Sequence, residues 1–315
     1  MLLIKGGEKA PVPYVIETPS LGLNYVLGGG LWTGRYHILW GNSQAGKSTL
    51  ALHTLANAQK QGFIPVIVDA EGSMTDDWMR HCGIDLEKRI LIRSTKLEDI
   101  MKVLIPLFKE PESKYAFLID SINTIVMEQF YLDDTSTGAI GIYARSQGVF
   151  FQKLSDLLTS SVNHVVICIA QQTTVKKGNY FVLDGKFGNQ AEHWVTNTIR
   201  LSAGQAADDI ERDDDERILN RKVTWKVEKS KQKSIQGTKG DYWFSPLSAT
   251  IDKDKEVFHL AVRNNIISKG GAWYSYGDQK FQGERKFIDG VGSNTMLEIY
   301  SKLMENGIQF DSDEG

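Results

Sequence analysis

The sequence predicts an α/β fold: a phosphate-loop core with a mostly parallel central sheet, an antiparallel extension and a small C-terminal α+β appendage. Three observations predict it. First, Gly41-Asn42-Ser43-Gln44-Ala45-Gly46-Lys47-Ser48 is a complete G-x-x-x-x-G-K-[ST] loop between a strand-like run at 36–40 and a helix-like run at 48–56. Second, continuous apolar runs at 64–69, 115–120 and 164–170 alternate with helical patterns, as strands covered on both faces do. Third, strand patterns follow one another directly after residue 196.

Taken in order, residues 1–18 contain Pro11 and Pro13, run into Pro19 and lack a helical period, so an extended N-terminal arm is expected. Strands are expected at 36–40, 64–69, 90–92, 115–120, 164–170, 196–202 and 222–228. Helices at 48–60, 75–82, 97–108 and 142–159 separate the first five. The acidic stretch 208–217 reads as the tip of a hairpin. A helix near 256–264 leads to Gly270-Gly271, beyond which an aromatic-rich unit with one helix, about 293–304, is expected. The domain expectation is therefore an arm at 1–18, a core at 19–268 and a C-terminal unit at 269–315 with an acidic tail.

At 315 residues and 41% hydrophobic content the chain can bury one large core and carry a small appendage. Its two cysteines, Cys82 and Cys168, read as buried thiols in a reducing compartment, with a disulfide as the alternative. No apolar run is long enough to span a membrane, and 1–5 is too short for a signal peptide, so a soluble, cytoplasmic protein is expected. The net charge of −3 is unevenly placed. Segment 208–217 holds seven acids and two arginines, and the tail from Asp311 to Glu314 adds three acids. Without these segments 34 of the 36 basic and 29 of the 39 acidic residues remain, a mildly basic body compatible with nucleic acid.

The loop assigns a nucleoside triphosphate. Its glycines let successive N–H groups face one anion at a helix N-terminus, Lys47 reaches the outer phosphates and the Ser48 hydroxyl can ligate Mg²⁺. The nucleotide-contacting set is Gly41, Asn42, Ser43, Gln44, Ala45, Gly46, Lys47, Ser48 and Thr49. Asp120 ends an apolar strand, where a carboxylate completes the Mg²⁺ shell; a capping aspartate is the plain alternative. Glu71 ends Val68-Asp69-Ala70-Glu71 at the carboxyl edge of the sheet, where it polarises an attacking water or is a surface glutamate. By burial habit Trp78 reads as core.

Two loop-like segments lie near strand ends, 133–141 and 172–190. The second interleaves Lys176, Lys177 and Lys186 with Tyr180, Phe181 and Phe187, which suits single-stranded nucleic acid; a disordered surface loop is the alternative. Lys226, Lys229, Lys231 and Lys233 crowd the end of the 222–228 strand as a solvated basic edge.

Together the phosphate loop, Asp69-Ala70-Glu71, Leu118-Ile119-Asp120-Ser121, Phe187-Gly188-Asn189, Val227-Glu228-Lys229-Ser230-Lys231 and Gly271-Ala272-Trp273-Tyr274-Ser275-Tyr276 resemble the RecA family of bacterial and phage recombinases, over about 15–287. The resemblance implies a RecA-like ATPase with ATP and Mg²⁺. Glu71 would activate water, Trp78 would stack on adenine, and Gln171 would sense the γ-phosphate at the root of the second DNA loop, 172–190. Residues 133–141 would form the first DNA loop, and Arg145 would lie near the DNA backbone with Lys176, Lys177, Lys186, Phe187, Gly188 and Asn189. Lys229 and Lys231 would reach a neighbour's nucleotide in trans. Two departures stand out: the family's N-terminal helix has no counterpart before Pro19, and the second DNA loop is shorter after Asn189.

The implied function is a DNA-dependent ATPase that forms head-to-tail filaments on single-stranded DNA and pairs it with homologous duplex, with single-strand-binding and mediator proteins as candidate partners and no membrane. Its setting would be a bacterial cell or phage-infected host, and the short termini point to a phage-type member. The alternative is a ring-forming helicase or motor with a related core.

Overall fold

The computed structural model describes residues 11–132, 136–159, 162–177, 180–185, 191, 193–232 and 236–310. The chain opens with β1 (Val15–Ile16), α1 (Leu21–Val26), β2 (Leu31–Trp32), β3 (Arg35–Gly41) and α2 (Lys47–Lys60). There follow β4 (Ile64–Asp69), α3 (Asp76–His81), β5 (Ile90–Ile92), α4 (Leu97–Lys109), β6 (Tyr115–Asp120) and α5 (Ser136–Leu158). Strands β7 (His164–Lys177), β8 (Tyr180–Gly185), β9 (Asn197–Ala203), β10 (Ile210–Arg212), β11 (Ile218–Ser230), β12 (Lys239–Ser245) and β13 (Thr250–Asp252) come next. The chain closes with α6 (Lys253–Arg263), β14 (Ser268–Gly270), β15 (Trp273–Tyr276), β16 (Gln279–Gln282) and α7 (Glu284–Asn306).

Strand alternation builds the core. In the main sheet β9-β3-β7-β6-β4-β5 run parallel, and β11, β12 and β13 extend it antiparallel beyond β9. One face carries Leu39, Ile67, Leu118 and Ile167 against Leu50 and Leu55 of α2. The other carries Ile38, Val68, Phe117 and Val166 against Ile100 and Leu104 of α4 and Phe151 and Leu154 of α5. Successive side chains point to opposite faces, so each strand feeds both layers and must be apolar throughout. Truncating Leu118, fully buried at the centre, should cost about 2–5 kcal/mol.

A third cluster joins α6 to α7, with Phe258, Phe287 and Leu303 at its centre and Tyr274 and Phe281 of the small sheet packed on it. Helix α6 also grips α1. Its fully enclosed Glu256 accepts from the Ser20 hydroxyl at 2.6 Å and from the Leu21 and Gly22 N–H groups at 3.0 and 2.9 Å. Ser20 itself caps α1 by accepting from the Leu23 N–H.

Three expectations need correction. The segment 172–190 is not all loop: β7 continues to Lys177 and pairs with β8 from Gln172↔Gly185 to Lys177↔Tyr180. Thr173-Thr174-Val175 and Tyr180-Phe181-Val182 are strong strand formers, and pairing satisfies their backbone groups. The expected first loop, 133–141, gives way to α5 from Ser136 onwards. The C-terminal helix begins at Glu284 rather than near 293, with a break at Gly292 (φ 77°, ψ 161°). Two glycines hide the helical period there, whereas Phe287 and Val291 at i and i+4 are buried. The acidic stretch does form a hairpin, β10 pairing with β11. Cys82 and Cys168 are free and buried, and burial pushes the Cys82 thiol up to about 12.

Candidate functional site

The phosphate loop sits where β3 ends and α2 begins. Gly41 has φ 151°, and a Cβ there would lie 2.0 Å from the Leu201 carbonyl oxygen of β9, so only glycine fits beside the neighbouring strand. Gly46 caps α2 in the left-handed region at φ 76°, with no side chain covering the helix N-terminus. The Lys47 ammonium donates to the Gly41 and Asn42 carbonyls at 3.1 and 2.7 Å, which holds it against the loop backbone. Burial lowers its pKa, while Asp120 and Glu71 pull the other way.

Carboxyl groups gather at the adjoining strand ends. Asp69 of β4 is directly opposite Asp120 of β6, and Gly41 opposite Gln171 of β7. The Ser48 hydroxyl donates to Asp120 Oδ2 at 2.6 Å. Burial raises the Asp120 pKa to about 6, against the Ser48 hydrogen bond, while Glu71 adds to the rise. Asp69 is buried and its carboxylate accepts from the Ser73 and Met74 N–H groups, which folds the turn bearing Glu71. Glu71 Oε1 accepts from the Ser121 hydroxyl at 2.5 Å and the Gln171 amide at 3.1 Å. The Gln171 N–H donates to Asn123 Oδ1 at 2.6 Å.

Beside the loop is a cleft of roughly 780 Å³. Trp78 of α3, half-buried and packed on the core, lines it rather than being lost inside. Ser43, Gln44, Ala45, Gly46, Lys47, Ser48 and Thr49 form its phosphate-loop side. The donor set fits a magnesium nucleotide: backbone N–H groups and an ammonium for phosphate oxygens, a hydroxyl and a carboxylate for a hard cation. Sequence reasoning missed Arg221, Phe244, Pro246 and Leu247, which line the same cleft. They lie far along the chain, and only the pairing of β11 with β12 brings them here. No motif marks them.

Other candidates lie elsewhere. Lys229 pairs with Thr198 at the amino end of β9, and Lys231 donates to the His193 carbonyl at 2.6 Å. Burial lowers the Lys231 pKa, helped by the charges of Lys229 and of Arg35 at the start of β3. Through Thr198 the register sets Lys229 level with Ile38 of β3, and neither lysine is among the residues that line the cleft. Arg145 is an exposed residue of α5. Lys176 and Lys177 occupy the last positions of β7. Lys186, Phe187, Gly188 and Asn189 lie outside the described residues.

Comparison with known proteins assigns the chain to a family. The RecA N-terminal domain family matches residues 2–236, and the RecA C-terminal domain family residues 255–305. The chain is 30% identical over 301 residues to Protein RecA of Phytoplasma mali, covering 92% of this chain and 84% of that protein. It is 27% identical over 320 residues to Protein RecA of Ruegeria pomeroyi, covering 98% and 89%. It is 30% identical over 303 residues to the mitochondrial DNA repair protein recA homolog of Dictyostelium discoideum, where 94% of this chain spans 65% of the relative's length. With both domain families matched in order and a relative of this identity aligned along most of its length, the chain belongs to the RecA family.

Proposed function

We propose that this RecA-family recombinase and DNA-dependent ATPase hydrolyses ATP at sites completed between neighbouring protomers of a filament on single-stranded DNA. The triphosphate lies in the loop from Gly41 to Ser48, with Lys47 on its outer oxygens and Trp78 against the base. Ser48 and Asp120 would hold Mg²⁺, which when bound would neutralise charge on the phosphate oxygens. Glu71 accepts a proton from the attacking water as its oxygen bonds to the γ-phosphorus and the bond to the β-phosphate oxygen breaks. Gln171, touching Glu71 midway along a strand that continues to Lys177, links that carboxylate to bound DNA.

Single-stranded DNA is taken up by Arg145, Lys176, Lys177, Lys186, Phe187, Gly188 and Asn189, then paired with homologous duplex. Lys229 and Lys231 act on the neighbour's phosphates. Single-strand-binding and mediator proteins would load or displace the filament. A cytoplasmic setting in a bacterial or phage-infected cell is supported by two free, buried thiols. A ring-forming helicase is not favoured, since both RecA domain families match.

The observation that carries the catalytic reading is Glu71, held by Ser121 and Gln171 next to the Ser48 and Asp120 pair. Glu71→Gln tests it. Nucleotide and DNA binding should persist while turnover falls by about two to four orders of magnitude. Near-normal ATPase would sink the assignment.

A further inference from the structure

We propose that Arg221 reads the nucleoside half of the bound nucleotide, donating from its guanidinium to an acceptor on the base or the ribose. The proposal rests on the reading that the cleft holds ATP and adds a specificity-determining residue to it.

The placement comes from strand pairing. Arg221 of β11 is directly opposite Phe244 of β12, and both line the cleft, as do Pro246 and Leu247. Trp78 of α3 lines it too. Rings and a proline suit a flat aromatic base, whereas the loop and Lys47 suit phosphates. By its cross-strand partner Arg221 belongs to the apolar part, at the root of the acidic hairpin.

Among the described residues Arg221 is the one arginine that lines the cleft. Arg221 Nε is buried with no hydrogen-bond acceptor, and no ion pair to this residue is found among the described residues. Eight other arginines, from Arg80 to Arg285, each meet a carboxylate within 3.9 Å. Nε is enclosed by protein, so a ligand would meet the terminal nitrogens of this half-buried side chain, to which the fold supplies no carboxylate among the described residues. A nucleoside offers acceptors, the ring nitrogens and the ribose oxygens, in the plane where a rigid guanidinium fork can meet them. Lysine could supply the charge but not this planar donor.

Asp77 and His81 also line the cleft, but neither neutralises Arg221: Asp77 pairs with Arg80 at 3.4 Å, and His81 Nδ1 bonds the Asp77 carbonyl. The cleft therefore presents an unshared donor on β11.

The test uses the full chain and its Arg221→Ala and Arg221→Lys variants, with binding of ATP, dATP and inorganic tripolyphosphate measured by calorimetry in Mg²⁺. Both variants should weaken ATP about tenfold and leave tripolyphosphate within about twofold of wild type. Loss of the difference on dATP assigns the acceptor to the ribose 2′-hydroxyl, and its persistence assigns it to the base or to a sugar oxygen that dATP retains. Equal weakening of ATP and tripolyphosphate would show that Arg221 serves the phosphates, and unchanged ATP affinity that it serves nothing; either overturns the proposal. Thermal melts of the apo variants should match wild type, because no internal partner is lost. Failure of the underlying reading looks different: wild type would not bind ATP, or Lys47→Ala would bind it as well as wild type.

Discussion

The side-chain amide of Gln171 donates to Glu71 Oε1 at 3.1 Å, although the two residues are 100 positions apart. Two strand ends bring them together. Gln171 is opposite Gly41 at the carboxyl end of β3, and Glu71 follows β4 by two residues. From Gln171 the same strand runs on for six residues to Lys177, about 20 Å of continuous backbone. The carboxylate proposed to activate water thus touches the base of the hairpin proposed to meet DNA.

Gln171→Ala should therefore uncouple the two events. ATP affinity without DNA should stay within about twofold, since the side chain bonds Glu71 and the backbone pairing with Gly41 survives the change. Stimulation of hydrolysis by single-stranded DNA should fall at least about tenfold. Steady-state ATPase with and without DNA checks this, and full stimulation in the variant would break the proposed link.

Asp120 sets a pH limit on metal loading. Its carboxyl is raised by burial to about 6, and only the ionised form can ligate Mg²⁺. Affinity for magnesium nucleotide should drop about tenfold per pH unit below 6 and level off above it. Asp120→Asn should bind weakly at every pH and flatten the profile. Linkage predicts the opposite sign for the apo protein: a raised carboxyl contributes stability in full below about 3.8 and loses it as pH rises through about 6. A wild-type affinity profile that stays level down to pH 5 would remove Asp120 from the metal site.

Much of this was legible in the sequence because it depends on local pattern. The phosphate loop needs its glycines within eight consecutive residues, and a strand covered on both faces needs an unbroken apolar run, as in Tyr115-Ala116-Phe117-Leu118-Ile119. The cleft's far wall was not legible. Phe244 and Arg221 reach it through the register of two antiparallel strands, and neither residue type carries a motif. The hairpin of β7 and β8 was hidden differently, since lysines and aromatics in sequence look alike whether the backbone is paired or free. Gly290 and Gly292 masked the first half of α7, whose helicity follows from burying Phe287 and Val291 rather than from propensity.

Glu256 provides a second pH signature, away from the cleft. Burial raises its carboxyl to about 7, while the Ser20 hydroxyl and the Gly22 and Leu21 N–H groups work the other way. The favourable neutral form is fully populated below about 4.5, and its contribution is lost as pH rises through 7. Glu256 alone should contribute a loss of about 3 kcal/mol of stability across that window, set against the opposite contribution of the buried His37, His53 and His164, whose pKa values burial lowers. Asp120 and the histidines are common to wild type and a Glu256 variant, so the difference between their pH profiles isolates Glu256. Glu256→Gln keeps an oxygen for Ser20 and Gly22 and should flatten the pH 6 to 8 part of a denaturation series. Persistence of the slope in that variant would show that another group is responsible.

Lys229 and Lys231 give the sharpest test of the filament. Within one chain they are at the amino end of the parallel sheet, beside Arg35 and His193, while the phosphate loop is at its carboxyl end. Lys229 is level with Ile38 through Thr198, and Gly41 lies three residues further along β3, about 10 Å away and two strands over. The proposed action is on a triphosphate held by another protomer whose carboxyl edge meets this one's amino edge. Two unlike edges in contact make a heterologous interface, which propagates as a helix when it does not close. Lys229→Ala and Glu71→Gln should each abolish DNA-stimulated hydrolysis alone. Mixed at equal amounts, about a quarter of interfaces pair an intact Glu71 with an intact Lys229, so activity should return towards that fraction. Assays over a range of mixing ratios, with mixed filaments verified by cosedimentation on DNA, measure the recovery. Zero recovery at every ratio would mean that the lysines do not serve a neighbour's nucleotide.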